Sequence, residues 1–337
     1  MLRIGLVGFG FMGRMHFDNY VRLMEEGYPV ALRAICDLRI AELKDAKADG
    51  NMSTARDIYD LTAYHLYEEL ETMLAENELD AIDLCVPTYL HAEMACSLLE
   101  RGYHVFCEKP MGRTSAEARR MAETAARSGR KLMIGQCLRF WPGYEYLKET
   151  VESGRFGQVT EGYFYRGSGA PKDWFLDERL SGGSILDMHI HDTDMISYLF
   201  GKPEKVSTLA RKVLPGSGYD LCSTHYFYRD GKVVNAQVDW TLEGDFGFYM
   251  GYRVNFERGN LVFDGAQLQV NPNHEPGYTA ELSPDAGYYR ELVYFLDAVI
   301  HDKPIVVCTP ESAAESLEIF EAEVRSADAQ GEWVVLK

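Results

Sequence analysis

The chain has 337 residues, 46% of them apolar and 12% aromatic, which is enough for two domains with sizeable cores and excludes a disordered, collagen-like or disulfide-scaffold protein. With 34 Lys+Arg against 52 Asp+Glu the net charge is -18, a field that repels phosphate backbones and anionic lipid, so neither nucleic acid nor a membrane surface is expected as a partner. The seven cysteines show no CxxC pair and mostly sit in apolar runs, as buried free thiols in a reducing compartment do. The start, MLRIGLVGFG, lacks the features of a signal peptide, and no stretch of about 18 apolar residues occurs. A soluble, cytoplasmic protein is expected.

In chain order, apolar runs at 3–7, 31–36, 81–86, 104–108 and 132–135 alternate with amphipathic stretches at 11–26, 38–49, 68–77, 90–101 and 115–128. Strands apolar throughout and separated by helices predict a doubly wound parallel sheet over residues 1–136. From 137 to 337 the period changes. Phe246, Phe248, Met250, Tyr252, Val254 and Phe256 alternate with polar or small residues, and similar strands are expected at 159–166, 204–213, 222–229, 233–242 and 260–270, a mostly antiparallel sheet. Stripes at Leu292, Phe295, Leu296 and at Ala313, Leu317, Phe320 predict two closing helices. The fold class is thus an α/β Rossmann domain plus an α+β domain with an open, mostly antiparallel sheet.

The first strand runs into Gly8-Phe9-Gly10-Phe11-Met12-Gly13, then a helix, then a second strand ending in Asp37. In this context Gly8 permits a tight turn, Gly10 admits a pyrophosphate and Gly13 lets the helix pack on the strand, with the helix N-terminus facing the phosphates. Asp37, 24 residues beyond Gly13, suits the adenosine ribose hydroxyls and favours NAD, while Arg39 leaves NADP possible.

Glu108-Lys109-Pro110 ends the 104–108 strand, where ligands bind in open α/β sheets; the pair can also be solvated charge before a proline. In SGGSILDMHIHDTD, Asp187 and His191 are four apart and therefore on one face of a helix, so the carboxylate can orient the imidazole. Ser184 and Asp187 also fit a capping box. His189 and His191, two apart, point to different faces, so no metal site is expected.

LVGFGFMG, DLCVPTYLH, HVFCEKPM and GGSILDMHIHDTD, in that order, resemble the Gfo/Idh/MocA family of glucose-fructose oxidoreductase and inositol dehydrogenase relatives. The resemblance spans nearly the whole chain. It implies cofactor contacts from the glycine loop, Asp37, Pro87, Thr88, His91, Glu108 and Lys109, and catalysis by Lys109, Asp187 and His191. His189 departs from the family pattern, which often has glycine there; it is expected to touch substrate or to be a packed, hydrogen-bonded histidine.

The reading that follows is an NAD(P)-dependent enzyme moving hydride between nicotinamide and a secondary alcohol or ketone of a sugar, inositol or sugar derivative. His191 would act as base, Lys109 would stabilise the charged oxygen and Asp187 would orient the imidazole. Arg166, Lys172 and Trp174, with Tyr288, are candidate substrate contacts; each can equally serve packing or a solvated loop. An NAD-dependent glycosidase using transient oxidation, and a non-catalytic dinucleotide sensor, are the competing classes. Aromatics of the second sheet, such as Tyr226, Tyr228 and Tyr249, are expected to serve a homodimer or homotetramer interface.

Overall fold

The structure, a computed structural model, describes residues 1–44 and 59–336. It forms two compact units, one of Met1–Gly112, Ala116–Cys137 and Tyr288–Ala314, the other of Arg113–Ser115, Leu138–Gly287 and Glu315–Lys337.

In the first unit the elements run β1 (Leu2–Val7), α1 (Phe11–Glu25), β2 (Val30–Cys36), α2 (Ile40–Leu43), β3 (His65–Tyr67), α3 (Leu70–Glu76), β4 (Ala81–Leu84), α4 (Thr88–Glu100), β5 (His104–Glu108), α5 (Ser115–Ser128) and β6 (Leu132–Gly135). The strands are all parallel in the order β3-β2-β1-β4-β5-β6, so the expected Rossmann sheet is borne out. β4 and β6 are buried at every position, which is why they read as continuous apolar runs. Of the helix expected over 38–49, Ile40–Leu43 is described and the part beyond residue 44 lies outside the described residues. β3, only three residues long, was not expected.

The grouping differs in one respect from a single division after residue 136. Helix α10 (Gly287–Ile300) carries Leu292, Phe295 and Leu296, all at most 1% exposed, and Phe295 meets Phe106 of β5 edge to face at 5.6 Å. Its apolar stripe completes the core of the first unit, and burying such a leucine or phenylalanine contributes about 1.5–3 kcal/mol each.

The second unit contains α6 (Pro142–Ser153), β7 (Val159–Ser168), α7 (Glu178–Ser181), α8 (Ser184–Asp187), α9 (Ile190–Phe200), β8 (Lys205–Arg211), β9 (Leu221–Phe227), β10 (Val233–Asp239), β11 (Phe248–Phe256), β12 (Gly259–Phe263), β13 (Leu268–Pro272), β14 (Tyr278–Thr279), most of α11 (Pro310–Asp328) and β15 (Val334–Val335). The nine strands lie in the order β14-β13-β12-β11-β7-β10-β9-β8-β15. Only β7 and β10 pair in parallel among them; the other pairs are antiparallel. The single strand expected over 260–270 is a hairpin, because Asp264 accepts hydrogen bonds from the amides of Ala266 and Gln267 and turns the chain.

Alternation along β9 corrects the expected interface aromatics. Tyr226 is 3% exposed, and Tyr228, just beyond the strand, is 7% exposed; both are buried. Position 227 between them points the other way, so Phe227, Leu209, Val233 and Tyr249 form the exposed apolar set. The face was thus reversed for Tyr226 and Tyr228, whereas Tyr249 is exposed as expected. All seven cysteines are free, six of them buried, and among the described residues no helix is long and apolar enough to cross a membrane.

Candidate functional site

In the first unit the glycine loop joins β1 to α1, and its three glycines meet different constraints. Gly8 has φ +93°, and a Cβ there would lie 2.3 Å from the Cys85 carbonyl oxygen; at Gly13 a Cβ would lie 1.9 Å from the carbonyl oxygen of Gly8. At Gly10, the N-cap of α1, a Cβ would meet nothing within 4 Å. The first and last glycines are therefore required by packing of the protein on itself, whereas the middle one faces open space. Among the described residues no side chain caps this helix, so its first-turn amides suit a diphosphate, and the residues present fit a dinucleotide.

Phe9 itself is buried, its ring packed edge to face on Phe17 and Tyr59. Its amide donates to Asp37 Oδ2 at 2.8 Å, and the Arg39 amide donates to Asp37 Oδ1 at 2.8 Å. Asp37 thereby ties the end of β2 to the glycine loop, a link that sequence spacing did not reveal. Arg39 is exposed, and Phe11 and Met12 are half-buried on the first turn of α1.

Pro87 caps α4 and Thr88 is its buried first residue. His91 is 1% exposed, with Nδ1 2.7 Å from the Pro110 carbonyl oxygen and Nε2 2.8 Å from that of Val86. Burial pushes its imidazole below the ordinary value. The ring acts as a brace between the loop after β4 and the loop after β5. Lys109, half-buried, follows β5 directly, and its amide donates to Glu108 Oε2 at 3.0 Å.

In the second unit the motif 181–194 departs from one continuous helix. Asp187 ends α8 and His191 is the second residue of α9. Between them the amides of Met188 and His189 both bond to the Ser184 carbonyl, and the His191 amide bonds to Met188 at 3.3 Å. The four-residue spacing thus spans a break, and a shared helix face cannot be inferred from it. The capping box is absent as well: Gly183 is the N-cap, and the Ser184 hydroxyl donates to the Tyr219 carbonyl. Gly183 has φ +76°, with the carbonyl oxygens of Ser217 and Tyr219 each 2.9 Å from where a Cβ would sit, so glycine is the residue this approach to α8 admits.

Helix α9 is buried along Ile190–Ser197, and its two acids each have an arginine. Asp194 is held in a fork by Arg139, at 2.9 and 2.7 Å, and accepts a third bond from Ser316 at 2.8 Å. Asp192 faces Arg166 at 3.3 and 3.5 Å. Arg166, expected near substrate, is therefore a strand residue of β7, 3% exposed and engaged by a buried acid. Lys172 is exposed, and half-buried Trp174 stacks on Phe175 at 4.1 Å. Tyr288 lies on α10 of the first unit, half-buried.

His189 is fully buried, with Nε2 3.1 Å from Thr224 Oγ1 and 3.3 Å from the Tyr226 hydroxyl. Burial, and then the charge of Arg166, push its imidazole down to about 3. Of the two roles expected for His189, the structure shows the packed, hydrogen-bonded one. Beside it, Glu323 Oε1 accepts from Tyr226 at 2.8 Å and from Thr193 at 2.9 Å. His189 is thus a core group within the motif, and Glu323, on α11, is a core acid that sequence analysis did not single out.

Two matches to known protein families bear on this geometry. The oxidoreductase family of the Gfo/Idh/MocA type, described as having an NAD-binding Rossmann fold, matches residues 2–136, and the C-terminal domain of the same family matches residues 144–262. The chain belongs to the Gfo/Idh/MocA oxidoreductase family. It is 31% identical to myo-inositol 2-dehydrogenase of Thermotoga maritima over 60% of this chain and 55% of the relative, so the chain spans about half the length of that relative. Inositol 2-dehydrogenase of Rhizobium meliloti matches at 23% identity over 96% of both chains. The solved structure of levoglucosan dehydrogenase in complex with NADH and levoglucosan has the same fold, with a TM-score of 0.85 over 99% of each chain at 20% identity.

Removing one partner of a fully buried ion pair leaves the other charge uncompensated, at a cost of about 3–5 kcal/mol. Arg139→Ala is expected to destabilise the chain by that amount in urea unfolding, against a control such as Arg229→Ala, whose side chain is 85% exposed in its pair with Glu204; equal midpoints would show that the Arg139 fork does not anchor α9.

Desolvation pushes the Glu323 carboxyl up to about 7, opposed by its bonds from Tyr226 and Thr193. The unfolded chain ionises near the ordinary value of 4.5, so between these two values the unfolded state has lost its proton while the folded state retains it. Stability therefore falls as pH rises through this window, by about 3 kcal/mol in all, and levels off above it. Glu323→Gln keeps the acceptor oxygen and is expected to remove this fall; unfolding free energies of variant and wild type that run parallel from pH 4.5 to 7 would contradict the assignment.

Proposed function

We propose that this protein is an NAD(P)-dependent dehydrogenase or reductase acting on a secondary alcohol or ketone of a sugar, inositol or sugar derivative. The observation that carries the reading is the glycine loop, where packing demands Gly8 and Gly13 but leaves Gly10 open at an uncapped helix N-terminus. Family membership supports it, and the names of inositol and levoglucosan dehydrogenases among the relatives support the substrate class. Asp37 at the end of β2 favours NAD, since its carboxylate would repel a 2'-phosphate.

NAD, when bound, supplies the acceptor for hydride. His191 takes the proton of the substrate hydroxyl in oxidation and returns it in reduction. Lys109 stabilises negative charge that develops on a substrate oxygen. Asp187 orients the His191 ring. Lys172 and Trp174 are the proposed substrate contacts of the second unit, a sugar ring being suited by an aromatic face and a cationic donor. The buried free thiols suit a reducing, cytoplasmic setting.

Polyols and keto-sugars screened with NAD and NADP are expected to give nicotinamide turnover equal to substrate consumed. On that substrate His191→Asn and Lys109→Met should each lower kcat by about 100-fold or more, the range for a lost acid-base group, with NAD affinity retained in the histidine variant. Wild-type turnover in both variants would refute these roles, and product formed with no net change in nicotinamide absorbance would favour the glycosidase class.

The exposed set Leu209, Phe227, Val233 and Tyr249 on one sheet face suits a homodimer or homotetramer. Sedimentation velocity is expected to show an oligomer that Leu209→Asp dissociates; a wild-type monomer at micromolar concentration would rule the interface out.

A further inference from the structure

Behind the end of β5, on the core side of the first unit, four buried polar groups converge. His16 of α1 is 0% exposed, as are Asp83 of β4 and Glu291 of α10, and Glu108 is 4% exposed. His16 Nδ1 lies 2.8 Å from Asp83 Oδ2, which also accepts from the Tyr20 hydroxyl at 2.9 Å. On the other edge of the ring, Nε2 lies 3.1 Å from Glu108 Oε1, out of line for a hydrogen bond. One ligating atom from each of His16, Glu108 and Glu291 lies within 4.8 Å of the other two. Among the described residues neither carboxyl oxygen of Glu291 has a hydrogen-bond partner, and nor has Glu108 Oε1. At Gly135, paired with Glu108 in the sheet, a Cβ would stand 2.9 Å from that same oxygen, so the glycine leaves room for the Glu108 side chain.

We propose that Glu291 and Glu108 share one proton as a buried carboxyl pair, clamped by His16, and that Glu291 is the positioning residue for the Glu108-Lys109 strand end. The charges account for this. Burial works against an imidazolium, but Asp83, and then Cys85, outweigh it and raise the His16 value well above normal. One cation then stands among three carboxyl groups. A third ionised carboxylate with no partner, removed from water, costs far more than taking up a proton. Burial, and then the Glu108 charge, push the Glu291 carboxyl well above the ordinary range, so the proton resides on Glu291 and its O–H is directed to the acceptor that lacks one, Glu108 Oε1. The other oxygen of Glu108 accepts the Lys109 amide. The arrangement thus extends from α10 through Glu108 to the backbone of Lys109. The facing groups are His16 and Tyr20 from α1, Asp83 from β4, Cys85 beyond it, and Cys107 and Glu108 from β5.

The positioning half of this inference rests on the role proposed for Lys109, whereas the shared proton does not, and the experiment separates the two. Infrared difference spectra of the full chain at pH about 8, where ordinary carboxyls are ionised, are expected to show a protonated carboxyl band in wild type that Glu291→Gln removes. An unchanged band would overturn the shared proton. The amide of Gln mimics the protonated acid as a donor, so Glu291→Gln should keep kcat within about threefold, whereas Glu291→Leu should lower it at least about tenfold, the scale on which supporting-shell groups act. NAD affinity and melting temperature of Glu291→Leu show whether it is folded; a folded Leu variant with wild-type kcat would overturn the positioning role. If no substrate is turned over by any form while the band behaves as stated, the function reading fails and the pair stands. Zinc or manganese bound at one equivalent by wild type, and lost in Glu291→Gln, would overturn the pair in favour of a metal centre.

Discussion

The second unit depends on the neutralisation of charge on a helix that has no exposed face through most of its length. α9 carries Asp192 and Asp194 among buried residues, and a lone carboxylate in that environment could not remain ionised. Arg139 and Arg166 supply the compensating cations from the segment before α6 and from β7. The fork from Arg139 fixes Asp194 in two directions, since two parallel bonds define a plane as well as a distance. Because His191 lies next to Asp192 and three residues before Asp194, the position of its backbone follows from these two pairs. Arg166 is thus better understood as part of what holds the helix than as a group that waits for a ligand.

The first unit reaches its geometry by exclusion. Gly8 and Gly13 are packed so closely that no Cβ fits, and this draws the start of α1 against the loop after β4. Asp37 and His91 then tie neighbouring loops together, the first through the amides of Phe9 and Arg39, the second through the carbonyls of Val86 and Pro110. Several residues expected to contact a cofactor therefore serve first as braces for the backbone that surrounds Gly10. An amide donor aimed by such braces is a more precise anion ligand than a flexible side chain.

Much of this was legible in the sequence because it is written in local patterns. The parallel sheet is visible in its unbroken apolar runs, the glycine loop in its spacing, and α10 and α11 in their stripes. What was not legible depended on contacts between distant segments. The break between α8 and α9 arises where the chain turns at Met188 and His189, and nothing in the spacing of Asp187 and His191 distinguishes a broken helix from a continuous one. The return of α10 to the first unit is a tertiary fact, set by Phe106 meeting Phe295. α6, absent from the expected elements, does carry local signals: Pro142 at its first turn and Gly154, in the left-handed conformation, at its end. The buried cluster also left a trace, since Asp83 interrupts an otherwise apolar strand and His16 sits on the apolar side of α1 with Phe17 and Tyr20.

Buried acids are treated differently within the second unit, and this decides where it is sensitive to protons. Asp194 has a close, forked guanidinium and a serine donor. Glu323 has only neutral donors, Tyr226 and Thr193, and burial carries it up to about 7. Hydrogen bonds from hydroxyls thus reduce the cost of ionisation without cancelling it. Asp192 lies between these cases: Arg166 stands at 3.3 Å or more, and burial still raises its carboxyl above the usual range. Acids without a cation in hydrogen-bond contact are therefore the places where protonation and packing are coupled, as at Glu323 and Glu291.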